Sequence, residues 1–440
     1  MAEDLVALAQ MACEVAVKEG AQQADASAWR GHNLEVEIER DAIKSSDASW
    51  GSGVSVRALY KGGTGWASAS GLDEDLVRET AAKAAEMSKV AEPDPDFVSL
   101  PEPAEYQQVE GLYDPKVADL GIEQVIGWAL AGVDEAKAVD GNMIVAGGAG
   151  VSSWERALVN SLGVETYLRA SSVGMSLFAI IKRGDDVGSY YDFDNGRVLS
   201  DFAVEGLGTK VAEQALSFLG ARLVPTATLP VVFGPLSSYS LIRSLCSNAN
   251  AEDIQRKRSY LVGMKGKRVA SSLLTITDEP FIPRGFGSGP HDSEGFPHRP
   301  LTIVEEGVLK TYLHNSYTAG KAKEPNTGHS TRGGISPTNT IPKLGTATSE
   351  EIIADTDDGI YLNMGSVSPN PVTGEISATV DFGFKIENGK LAYPVKSTML
   401  GINMLELLQN VDAISSDYRE EPGMVMPTMR AQGVKVAGGA

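Results

Sequence analysis

GARLVPTATLPVVF, residues 220–233, marks the point where the character of this 440-residue chain changes. A helix predicted to end at Gly220 gives way to a proline-containing connector over 223–228, and an apolar strand is predicted over 229–233. Before this point helical and strand periodicities alternate. After it the chain is rich in Gly, Thr, Ser and Pro, with short strands and few helices. The expected fold class is therefore α+β in two domains: residues 1–224 as mixed helix and antiparallel sheet, residues 225–440 as a strand-rich unit. The length supports that division, because a single hydrophobic core rarely grows to this size.

Working back from the connector, Leu5, Leu8, Ala9, Ala12, Val15 and Ala16 form one stripe at helical spacing, so 3–18 is predicted as a packed amphipathic helix. Short alternating runs over 24–29, 34–39, 53–59 and 65–69 suit antiparallel strands. Asp73 is placed to cap a second helix whose apolar side carries Leu76, Val77, Thr80, Ala81, Ala84 and Met87. The prolines of EPDPDFVSLPEPAEY predict a loop over 91–115 that wraps the surface. A third helix is expected over 121–139, and three or four strands over 143–181.

Composition narrows the function. Hydrophobic residues make up 42% and charged residues 22%, as in ordinary globular proteins. A net charge of -20 without a basic stripe disfavours direct contact with nucleic acid. The apolar runs are too short to cross a bilayer, and the acidic start MAEDLVALAQ is unlike a signal peptide, so a cytoplasmic location without membrane contact is expected. Cys13 and Cys246 read as reduced core thiols.

Local motifs give little catalytic chemistry. Gly285-x-Gly287-x-Gly289 lies between prolines, with no strand before it or helix after it, and reads as a turn rather than a phosphate loop. No G-x-S-x-G elbow is present. The richest polar cluster is HDSEGFPHR, with His291, Asp292, Glu294 and His298; its spacing matches no helical zinc site, and a solvated, hydrogen-bonded loop is expected.

The second half nevertheless carries an ordered succession: VVFGPLSSYSLIRSL, KGKRVASSLLTITDEP, DSEGFPHRPLTIVEEGVLKTYLHNSYTAGK, NTGHSTRGG, SPTNT and NPVTGEISATVDFGFKIENGKLAYPVKSTMLGINMLELL. It resembles the TldD/PmbA family of metallopeptidases, also called modulators of DNA gyrase, across most of 229–417. In catalytic TldD-type members, the resemblance implies, a helix after Gly-Pro bears H-E-x-x-x-H, whose histidines bind zinc and whose glutamate activates water. Laid on that pattern from Gly234-Pro235, the helix of 236–249 offers Arg243, Ser244 and Asn248 at the three positions. Arginine only donates, and serine has no basicity near neutral pH. No histidine occurs between His32 and His291, and no cysteine follows residue 417, where the catalytic type has a further ligand.

This departure resembles the TldE/PmbA subunit type. It implies no catalytic residue and no metal or other cofactor in this chain, zinc only in a TldD-like partner, and unfolded peptide as substrate. Asp292, Glu294, Gly295, Gly328 and Arg332 are expected to shape a peptide-binding wall, with Asp292 or Glu294 as a carboxylate partner for Arg332 should that arginine be buried. Two other readings stand beside it: a stand-alone homodimeric peptide-binding or regulatory protein, and an active peptidase with an atypical metal site around His291 and His298.

Overall fold

The computed structural model describes residues 2–365 and 367–439. The first half is built on one antiparallel sheet. Its elements run α1 (Ala2–Lys18), β1 (Gln23–Glu39), β2 (Ala42–Tyr60), β3 (Gly63–Ser70), α2 (Glu74–Val90), α3 (Pro115–Ala118), α4 (Ile122–Val139), β4 (Ile144–Asn160), β5 (Glu165–Arg183), β6 (Asp186–Gly196) and α5 (Leu207–Ser217). The six strands lie in the order β3-β2-β1-β4-β5-β6. Asp73 caps α2 as its sequence position requires, its carboxylate accepting from the Asp75 amide at 3.0 Å.

Two expectations about strands are corrected. The runs 24–29 and 34–39 are one strand, because Arg30, Gly31, His32 and Asn33 pair with β2 on one side and β4 on the other. The stretch 143–181 holds two long strands instead of three or four. At Gly147, inside the first of them, a β-carbon would sit 2.1 Å from the Ser176 carbonyl oxygen of the paired strand, so close backbone approach is what the residue serves.

The second half begins with β7 (Ala227–Phe233), α6 (Pro235–Asn248), α7 (Ala251–Gln255), β8 (Ile276–Asp278), β9 (Leu301–Glu305), β10 (Val308–Leu309) and α8 (Ser316–Ala322). It continues with β11 (Ser330–Thr331), β12 (Gly334–Ile335), β13 (Thr340–Pro342), α9 (Ser349–Ala354), β14 (Asp358–Met364), β15 (Glu375–Thr379) and β16 (Phe382–Glu387). β17 (Lys390–Pro394), β18 (Met399–Asn403), α10 (Met404–Gln409), β19 (Val411–Glu421) and β20 (Met424–Ala437) complete it. The large sheet runs β15-β18-β20-β7-β14-β16-β17, with β19 on β20. The architecture is α+β, as expected. β7 is central, parallel to β14 and antiparallel to β20. Its Val231 and Phe233 are buried with Leu241, Ile242 and Leu245 of α6, which fixes that helix against the sheet. Among the described residues no helix is long and apolar enough to cross a membrane.

The loop of 91–114 does more than wrap the first half. Tyr317 donates to Asp94 at 2.8 Å, Lys321 pairs with Asp96 at 2.7 Å, and the Arg284 amide donates to the Glu110 carbonyl at 3.0 Å. The extended geometry imposed by its prolines lets it tie both halves together.

Candidate functional site

Strand alternation builds one wall of the site. Along β1, Ala24, Ala26 and Ala28 are buried in the core cluster that holds residues of α1 and α2, and Val54, Val56 and Ala58 of β2 join them. The intervening residues Asp25, Ser27 and Arg57 point to the opposite face, as period two demands, and are also buried. In β4 the same alternation buries Ala157 and Val159 with the helices and turns Trp154, Arg156 and Leu158 the other way. That second face meets loops of the C-terminal half. Between them lies a cavity of about 530 Å³, lined also by Thr166 and Leu168 of β5, Tyr239 and Arg243 of α6, and residues within 286–298 and 329–339.

The 291–298 loop is buried instead of solvated, which corrects the expectation. His291, Asp292 and Glu294 are 8%, 4% and 5% exposed, a depth at which most polar atoms have a partner. Asp292 accepts from the amides of Glu294 at 2.9 Å and Phe296 at 3.0 Å through one oxygen, and from the Ser330 amide at 3.0 Å through the other. Burial, and then the charge of Glu294, raises its carboxyl above the ordinary range, while the amides oppose the shift. Glu294 accepts from Arg57 at 2.8 Å and from the Ser316 amide at 2.9 Å, where α8 begins. Arg57 also pairs with Asp25, closing a buried Asp25–Arg57–Glu294 triad across the two halves. Burial raises the Asp25 carboxyl and Arg57 counteracts it.

Neither carboxylate expected as a partner for Arg332 meets it: Asp292 is held by backbone amides, and Glu294 by Arg57, a residue that sequence reasoning missed. Arg57 sits in the alternating run of 53–59, and a charged residue between Val56 and Ala58 was the available signal. Arg332 itself is exposed, at the same cavity. Gly295 and Gly328 are turn residues with φ of +82° and +73°; a β-carbon on Gly295 would lie 2.7 Å from Val164.

Three histidines line the cavity. His291 Nδ1 donates to the Asp292 carbonyl at 2.7 Å, and its buried Nε2 has no hydrogen-bond partner among the described residues. His329 lies between Thr327 Oγ1 at 2.9 Å and Asp278 Oδ2 at 3.0 Å. Burial lowers both His291 and His298 to about 4 from 6.5, with His329 adding to the effect on His298. Their folded values lie below their unfolded ones. Between pH 6.5 and 4 the unfolded chain therefore binds more protons, and the stability these imidazoles contribute, complete above 6.5, is lost as the pH falls toward 4. Proton NMR of the imidazole rings is expected to show His291 and His298 titrating near pH 4; titration near 6.5 would refute their burial as neutral groups.

On α6, Arg243 donates to the Thr338 carbonyl at 2.8 Å and to Ser336 Oγ at 3.2 Å. Asn248 spends its amide on the Ser244 carbonyl at 2.9 Å, one helical turn back. This trio does not fit a zinc ion: it has no imidazole, thiolate or carboxylate, and the cation and amide are satisfied within the fold. Among the described residues no three His, Cys, Asp or Glu side chains converge as a metal site. Cys13 and Cys246 are free and buried.

Comparison with known proteins places the chain in a family. Profiles of the PmbA/TldA metallopeptidase domain 1, central domain and C-terminal domain match residues 24–88, 115–219 and 226–438. The metalloprotease PmbA homologue of Haemophilus influenzae is 25% identical over 99% of this chain and 96% of its own length. A metalloprotease of Methanothermobacter thermautotrophicus is 32% identical over 60% of each chain. The crystal structure of TldE from Thermococcus kodakarensis superposes with a TM-score of 0.89 at 25% identity, covering 98% of this chain and all of that one. With all three profiles matched in order along the sequence, this chain belongs to the PmbA/TldD metallopeptidase family.

Proposed function

We propose that the chain is the TldE-type, non-catalytic subunit of a cytoplasmic TldD/TldE-type metallopeptidase, with zinc supplied by a TldD-like partner and unfolded peptides as substrate. One observation carries the reading: on α6, the helix that the resemblance lays on the family's zinc helix, Arg243 and Asn248 are hydrogen-bonded into the fold and, with Ser244, offer no zinc ligand or base. The likeness to a protein named TldE supports it. Asp292, Glu294, Gly295 and Gly328 then give the cavity its shape, and Arg332 stands at its surface.

The test is reconstitution. Mixed with a zinc-bearing TldD-like protein from the same genome, the chain is expected to form a stable complex by light scattering and to support chelator-sensitive cleavage of an unfolded peptide. Alone it is expected to cleave nothing, with or without zinc. Stoichiometric zinc and cleavage by the isolated chain would overturn the proposal.

A further inference from the structure

We propose that the Arg156, Arg243 and Arg332 side of the cavity binds the free C-terminal carboxylate of a short peptide. In a chain of net charge -20, three guanidinium groups around one hollow of about 530 Å³ call for an explanation. Among the described residues none of them is in an ion pair. Arg156 donates to Ser27 Oγ at 2.8 Å and the Ser293 carbonyl at 3.3 Å, and Arg243 donates to the Thr338 carbonyl and Ser336 Oγ, all neutral acceptors. Arg332 is exposed and makes no hydrogen bond or ion pair among the described residues. A second hollow of about 500 Å³, reaching Arg57 and Trp66, shares Arg156 and Arg332 with the first, so these two cations stand where the spaces meet.

The nearby carboxylates do not compensate them. Asp292 has both oxygens taken by three backbone amides, and Asp25 is held by Arg57. Each acts on Arg156 only through space, while Arg332 repels it, and burial followed by that repulsion lowers Arg156 to about 10. An anion between Arg156 and Arg332 would relieve both costs, and guanidinium donors match the planar geometry of a carboxylate.

The imidazole of His291 narrows the anion to a peptide terminus. With Nδ1 donating to the Asp292 carbonyl and the ring neutral down to about pH 4, its buried, unpartnered Nε2 is an acceptor. An acceptor next to cations suits the N–H of a terminal residue, whose carboxylate faces the arginines. Sulfate carries no donor at all, and inorganic phosphate, whose O–H could reach Nε2, is a separate arm of the test. Trp154, Leu158, Leu168 and Phe286 in the same lining offer apolar surface for a side chain. The carboxylate part is read from the arginines alone, and the peptide part rests on the proposed function.

Calorimetric titration of the full chain with a tetrapeptide acid, the same tetrapeptide as its C-terminal amide, and inorganic phosphate tests this. The acid is expected to bind saturably and the amide about tenfold more weakly, the order expected for loss of a charge-assisted pair, with phosphate weaker than the acid. Arg332→Gln, exposed and so without a folding cost, is expected to weaken the acid about tenfold and leave the amide unchanged. Equal binding of acid and amide would overturn the carboxylate site and leave the peptide reading standing. No binding of either would overturn both. Phosphate binding as tight as the acid, or an unaltered affinity in Arg332→Gln, would overturn the assignment.

Discussion

Replacement of Arg57 by leucine is expected to destabilise the chain by about 3–5 kcal/mol, because it strands two buried carboxylates without their cation. Arg57 is 8% exposed and holds Asp25 of β1 on one side and Glu294 of the cavity loop on the other. Each ion was desolvated on folding, and mutual attraction, with the Ser316 amide on Glu294, offsets that cost. Removing a single member therefore costs more than the triad contributes. The control is the triple replacement Asp25→Asn, Arg57→Leu, Glu294→Gln, which removes all three charges and is expected to recover much of the lost stability. Urea unfolding of the three proteins checks it. A loss below about 1 kcal/mol in Arg57→Leu, the size of an exposed pair, would show that the triad is open to water.

Asp292→Ala is expected to cost about 3 kcal/mol, since the amides of Glu294, Phe296 and Ser330 lose their acceptors in a buried loop. Asp292→Asn keeps an oxygen for two of the three and is expected to cost less. Hydrogen exchange gives the specific readout: in Asp292→Ala those three amides should lose protection while the β1–β4 ladder keeps its own. Unchanged protection at Ser330 would mean that the 292–296 turn is held by other contacts, and the cavity wall with it.

Both effects fall on the HDSEG segment, which shows where sequence reading succeeded and where it stopped. The segment was singled out for its chemistry but expected to lie in water, because a Gly- and Pro-rich polar loop ordinarily does. Its burial depends on Arg57, 237 positions away, and on backbone amides of the loop itself and of Ser330. Likewise, that 143–181 forms two strands instead of three or four is set by pairing across the sheet, where the backbone beside Gly147 leaves no room for a side chain.

What the sequence determined by itself is what consecutive residues encode. The stripes of α1 and α2, the helix over 121–139 and the Asp73 cap are local facts, legible because helical periods repeat within a few residues. The tertiary structure alone decided that Arg57 rather than Arg332 pairs with Glu294, and that, among the described residues, three arginines share one cavity without an ion pair to any of them and His291 keeps an unpartnered nitrogen there. Those relations are set by which face of the first sheet meets which loop of the second half, and ionic and hydrogen-bonding partners chosen across such an interface leave no periodic trace in the chain.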